Sequence, residues 1–172
     1  MNITEILDKR LSKTETEQLA KVIGGDPEIF AQLFKVSISG DTEKAPRAAW
    51  LIDHLLDRHP TLLSPHLAKA VSEFGNMEHH NSIHRNLGKS LLRVSIPDDL
   101  QGELYDTCVA HLLSPPVAIA IKAHAMEIAT RIALPYEELR SELLTILLEL
   151  VEDGSPGVVS RGKRMIKILN AA

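Results

Sequence analysis

The sequence predicts an all-α protein, a right-handed α-α superhelix of stacked helical hairpins with no sheet. Three observations carry that expectation. No stretch alternates apolar and polar residues with the period of two that a half-buried strand needs. The apolar load falls on Leu, Ile, Ala and Val; aromatics are only 3% and Trp50 is the sole tryptophan, which suits helix-on-helix packing better than a pleated surface. Helix-length apolar runs also recur with a period near forty residues and two helices per period, the mark of an α-solenoid.

The elements follow in order. Residues 2–12 read as a short helix with Ile3, Ile6, Leu7 and Leu11 on one side. Ser12 and Thr14 each precede a glutamate by three residues, Glu15 and Glu17, which are capping-box patterns for a helix carrying Leu19, Val22 and Ile23. Gly24-Gly25 ends it. Asp26-Pro27-Glu28 starts the next, with a capping acid and a proline in the first turn, and Ile29, Phe30, Leu33 and Phe34 as its apolar face. After the break at Gly40-Asp41, helices are expected over about 43–58, 61–74, 79–94, 97–113, 115–134, 135–152 and 158–169. Pro60, Gly75, Pro97, Pro135 and the turn Gly154-Ser155-Pro156-Gly157 separate them. The run over 115–134 is apolar on most of its circumference, so neighbours should cover it on several sides, with Ser114 as its expected cap.

Aligning the second helix of each pair on a basic residue exposes the repeat. Arg47, Arg85, Lys122 and Arg161 stand 38, 37 and 39 residues apart, each followed by a mainly aliphatic helix. This pattern resembles the HEAT and armadillo repeat families, HEAT more closely. The HEAT pattern has an Asp in the turn, six residues before an Arg or Lys that opens the second helix. Asp41 and Arg47 match it, followed by Ala48, Ala49, Leu51 and Ile52; His79, Pro116 and Ser155 replace the acid in the other units. The resemblance implies one domain over 1–172, with 1–40 as a helical cap or degenerate repeat and about four repeats over 41–169.

Composition narrows the function. A net charge of −4 gives no chain-wide field for nucleic acid or anionic lipid, so a nucleic-acid partner is not expected. The polar N-terminal stretch lacks the apolar core of a secretory signal, and no uninterrupted run is long enough to cross a bilayer. The single cysteine, Cys108, excludes an internal disulfide and reads as a small core residue. A cytoplasmic protein without membrane attachment or cofactor is expected. Catalysis finds no support, since there is no nucleophile elbow and no phosphate loop, and the paired acids Asp98-Asp99 and Glu137-Glu138 sit in first turns that favour negative charge.

The resemblance implies a scaffold that presents the surface of its stacked second helices to a protein or peptide. Arg47, Trp50, His54, Arg85, Lys89, Arg93, Lys122 and Arg131 are the candidate contacts on that concave surface. The basic column has two readings: a packing ladder that bonds carboxylates or helix-end carbonyls, or a positive stripe for an acidic peptide or phosphate backbone. Recurrence at one structural position favours the ladder. Trp50, Arg47, Asp53 and His54 also resemble the HEAT-like alkylpurine DNA glycosylases, which makes a nucleic-acid-acting protein the alternative. Against it stand the negative charge and the few aromatics, which make a core tryptophan the plainer reading of Trp50.

His80 and His84 stand four residues apart, on one face of a helix, and are the metal candidates, with Glu78 or His79 as a third ligand. Surface histidines are the plainer reading. The acidic helix over 135–152 and the basic one over 158–169 are expected to attract each other, and a homo-oligomer through an exposed end repeat is a third expectation.

Overall fold

The computed structural model describes residues 2–172, and no strand occurs among them. Among the described residues ten α-helices follow one another: α1 (Ile3–Leu7), α2 (Lys13–Ile23), α3 (Pro27–Ser37), α4 (Lys44–Leu56), α5 (Leu67–Gly75), α6 (Asn81–Leu91), α7 (Asp98–Leu113), α8 (Ile119–Ala133), α9 (Glu137–Glu152) and α10 (Pro156–Asn170). A 3-10 stretch, Pro60–His66, precedes α5. The chain forms two compact units, Met1–Ser95 and Ile96–Ala172.

In the first unit α3 pairs with α4 and α5 with α6, while α4 also packs against α2 and α6. Local chemistry sets the helix starts. Ser12 and Glu15 form a reciprocal capping box on α2, and Asp26 accepts the amide hydrogens of Glu28 and Ile29 at the head of α3. Since α2 begins at Lys13, Ser12 is its cap and Thr14 lies inside its first turn. Gly40 has φ +79, a left-handed conformation that glycine adopts without strain, and it turns the chain into Asp41. The Asp41 carboxylate then accepts from the amides of Glu43 (2.9 Å) and Lys44 (2.8 Å), which holds its pKa below the ordinary carboxylate value.

The core of this unit includes Phe30, Leu33, Ala48, Leu51, Leu55, Leu63, Val71, Phe74 and Leu91, all buried. A large apolar side chain in such a place contributes about 1.5–3 kcal/mol relative to exposure. His66 lies against the rings of Phe34 (centroids 5.1 Å apart) and Phe30 (5.7 Å), and its burial pushes its pKa down.

The second unit pairs α7 with α8 and α9 with α10, and α8 packs against all three of the others. Ile121, Ala125, Met126, Ile128, Ala129 and Ala133 bury its flank. Helices α9 and α10 approach closely at Gly162, where a β-carbon would meet Val151 Cγ1 at 2.5 Å. Cys108 is fully buried, and burial pushes its thiol pKa up.

Several boundaries differ from the sequence expectation. The first helix ends at Leu7, so Lys9, Arg10 and Leu11 form a non-helical link to α2. The expected helix over 61–74 opens as a 3-10 stretch because Pro65 cannot donate the amide an α-helix needs. The long apolar helix starts at Ile119, not 115. Ser114 is extended (ψ 117°) and ends α7, and α8 opens only after the turn at Pro115-Pro116.

Candidate functional site

Helix α4 is the element from which the site is built. Ala45, Ala48, Ala49, Leu51, Ile52, Leu55 and Leu56 form its buried face. Pro46 and Trp50, one turn apart, occupy the opposite face. Trp50 is 40% exposed, so it is not the core tryptophan that composition suggested. Its ring lies 6.1 Å from that of His54, whose enclosed Nε2 has no hydrogen-bond partner.

Trp50 helps line a groove of about 340 Å3 between α4 and the α1–α2 link. Ile6, Leu7, Leu11 and Pro46 supply the apolar part, and Lys9, Arg10, Glu43 and Arg47 the charged part. These charges differ in how far they are committed. Arg47 Nη1 donates to the carbonyl of Leu7 at 2.6 Å, closing the end of α1, and its Nη2 lies 3.5 Å from Glu43. Asp8 is paired with Lys44 at 2.7 Å, and Lys13 lies 3.8 Å from Glu17. Lys9 and Arg10, both exposed, have no ion-pair partner among the described residues.

The flank of α4 toward α6 is built differently. Asp53 pairs with both Lys89 and Arg93, and Arg93 also reaches Asp57 at 2.7 Å. Asp53 on α4 and Asp57 just past its end thus face Lys89 on α6 and Arg93 just past its end. The structure therefore gathers five of the eight candidate contacts on two adjacent helices, with Arg93 two residues past the end of α6, and it commits Lys89 and Arg93 to the packing of those helices. Arg85 is exposed on α6. Lys122 and Arg131 lie in the second unit on α8, where Lys122 Nζ donates to the carbonyl of Leu112 at 3.0 Å and Arg131 is exposed.

The histidines are placed separately. His80 caps α6, its Nδ1 accepting the amide of Ser82 at 3.2 Å. His84 is only 4% exposed, so the reading of this cluster as surface histidines fails for it; its Nε2 meets the carbonyl of Asn76 at 2.9 Å. His79 pairs with Glu73, whose pKa is lowered by Lys69 and, after the opposing effect of burial, by His79. Among the described residues, no three His, Cys, Asp or Glu side chains are grouped to hold a metal ion.

A larger groove of about 630 Å3 lies in the second unit, lined by Asp98, Asp106, Tyr136, Glu137 and Glu138 among others. Its size is a poor guide to function. Asp98, Glu137 and Glu138 stand in the first turns of α7 and α9, where they complement the helix dipoles. Tyr105 is committed as well, its hydroxyl lying 3.2 Å from the Leu139 carbonyl and 3.0 Å from a Glu142 oxygen, and burial pushes its pKa up.

With this geometry in hand, comparison with known families is decisive. The HEAT repeat domain family matches residues 3–169. The chain belongs to that family. No curated protein and no solved structure matches it. In this HEAT repeat chain the Asp41 carboxylate accepts the amides of Glu43 and Lys44 in the turn before α4, and Arg47 stands in the first turn of that helix. In the α5–α6 hairpin the inward bond falls to His84 and not to Arg85, so residues 47, 84, 122 and 161 stand 37, 38 and 39 apart. Arg161 pairs with Glu127 on α8, while α10 packs against both α8 and α9.

Ile6, Lys9, Arg10 and Leu11 are the groove residues that sequence reasoning missed, because it assigned them to a continuous helix. The run Asp8-Lys9-Arg10-Leu11-Ser12-Lys13 carried a signal, as charge dense enough to stay solvated just before a strong cap.

Proposed function

We propose that this HEAT repeat chain is a non-enzymatic scaffold that binds a protein or peptide on the surface of its second helices, with the Trp50 groove as the docking point. In this reading the hairpins continue as one right-handed superhelix. The observation that carries the proposal is Trp50 itself. A tryptophan 40% exposed on the outward face of a helix places a large apolar surface in water, and interfaces are enriched in such side chains. Beside it, Lys9 and Arg10 are uncommitted, whereas Lys89 and Arg93 are held by Asp53. The groove volume is at the low end of the roughly 300–1,000 Å3 of ligand pockets, enough to seat an anchoring side chain but little more.

The test is affinity capture of partners from the native cell, run in parallel with the protein as it is and with Trp50→Ala. A partner retained by the first and lost by the second supports the proposal. If both capture the same set, Trp50 is not the docking point. If the chain instead shifts duplex DNA, with affinity falling steeply as salt rises, the nucleic-acid-acting reading replaces this one.

A further inference from the structure

We infer that the occupant of the Trp50 groove is an acidic linear segment of a partner protein with a large apolar side chain at its centre. The inference rests on the reading of this groove as the docking point and adds the chemistry of what docks. Within the groove the lining charges are Lys9, Arg10 and Arg47 against Glu43, and Glu43 is already faced by Arg47. Nearby, Asp8 pairs with Lys44 and Glu17 with Lys13, while Glu5, Glu15 and Asp41 accept hydrogen bonds from Asn2 or backbone amides. The lining of the groove itself therefore carries a positive surplus, in a chain whose net charge is −4. An acidic segment gains from both Lys9 and Arg10 on approach, and a basic one meets two uncompensated cations.

The apolar requirement comes from the walls. Ile6, Leu11 and Trp50 bound a recess too small for a folded element but matched to one side chain, which would seat against the indole while flanking carboxylates meet the rim. Nucleic acid fits less well. A stacked base would use Trp50, but its backbone would need a track of cations, and next along the chain from Trp50 stand the acids Asp53 and Asp57.

Trp50 is the sole tryptophan, so its emission reports on the groove directly. Three tryptophan-free peptides of equal length, blocked at both ends and sharing a central Leu-Phe pair, would be titrated; they differ only in flanking glutamates, glutamines or lysines. The glutamate peptide is expected to bind about tenfold tighter than the glutamine peptide and to lose that advantage in high salt, as rim electrostatics do. The double variant Lys9→Glu with Arg10→Glu, exposed and with no ion pair to break, should reverse the order in favour of the lysine peptide.

Two results overturn the inference and are told apart by the capture experiment. Equal binding of all three peptides, or preference for lysine in the unaltered chain, removes the acidic partner and leaves the groove standing. Failure of every peptide to saturate also overturns it. The groove then survives if cellular capture still depends on Trp50, and falls with it if capture does not.

Discussion

Helices α4 and α8 are both second helices of their hairpins, and they bury similar shares of themselves, seven of 13 residues against eight of 15. Each opens with a cation that closes a helix-end carbonyl, Arg47 on Leu7 and Lys122 on Leu112. The difference lies in what is left outside. Helix α8 exposes Ile119, Ala120 and Arg131, all near its ends, whereas α4 exposes a tryptophan at mid-length with a groove beside it. Burial is thus the shared solution to stacking, and the outward position is where two helices of one family are free to diverge. A repeat fold constrains one face of each helix and leaves the other to function.

The comparison breaks first if the buried faces are not equivalent. Leu51→Ala in α4 and Ile121→Ala in α8, 1% and 0% exposed, should each cost about 2–5 kcal/mol, read as a lower urea midpoint. A cost below about 1 kcal/mol at either position would show that its helix is loosely packed.

The carbonyl closures come next. Lys122→Met keeps the length of the side chain but removes the donor to Leu112, leaving a part-buried carbonyl unsatisfied; the expected loss is about 1–3 kcal/mol, with peptide binding unchanged. Normal melting with lost binding would instead make Lys122 a contact residue.

How far these features were legible differs between the same two helices. Periodicity disclosed the buried face of α8 because an apolar run needs no partner to be recognised, and the spacing from Arg47 to Lys122 disclosed the family. The fates of Lys89 and Arg93 were also written in the chain, since Asp53 and Asp57 precede them by about one repeat with the same i, i+4 spacing. The exposure of Trp50 was not. Whether an aromatic residue faces the core depends on where the α1–α2 link runs, and that link forms because α1 stops at Leu7. Ser114 misled as well: a good capping residue before a proline, it ends α7, and the next helix opens only after the turn at Pro115-Pro116.

Acid should sharpen the contrast by acting on the first unit through the packed ring of His66. Burial against Phe30 and Phe34 lowers the pKa of His66, whereas the unfolded chain takes up the proton near the ordinary value of 6.5. Protonation therefore favours unfolding. The contribution is fully present above pH 6.5 and is lost as pH falls from there toward the folded value. Glu73, whose pKa is also lowered, loses its contribution in a separate window below its ordinary value of 4.5. Melting temperature should fall between pH 7.5 and 5.5, and His66→Phe should flatten that slope; an unchanged slope would move the acid sensitivity elsewhere.

The smallest effect on stability is expected where the effect on binding is largest. Trp50→Ala removes a side chain that is 40% exposed and lies outside the buried face of α4, so its cost should be about 1 kcal/mol, the centre of ordinary point substitutions and below core truncations. Because the substitution deletes the only tryptophan, unfolding must be followed by circular dichroism and binding by anisotropy of a labelled glutamate-flanked peptide. Loss of binding at that small cost would establish that the outward face of α4 is free of a structural task. A cost of about 2 kcal/mol or more, the range of core truncations, would mean that the indole holds the α1–α2 link in place; the difference between α4 and α8 would then be one of packing rather than recognition.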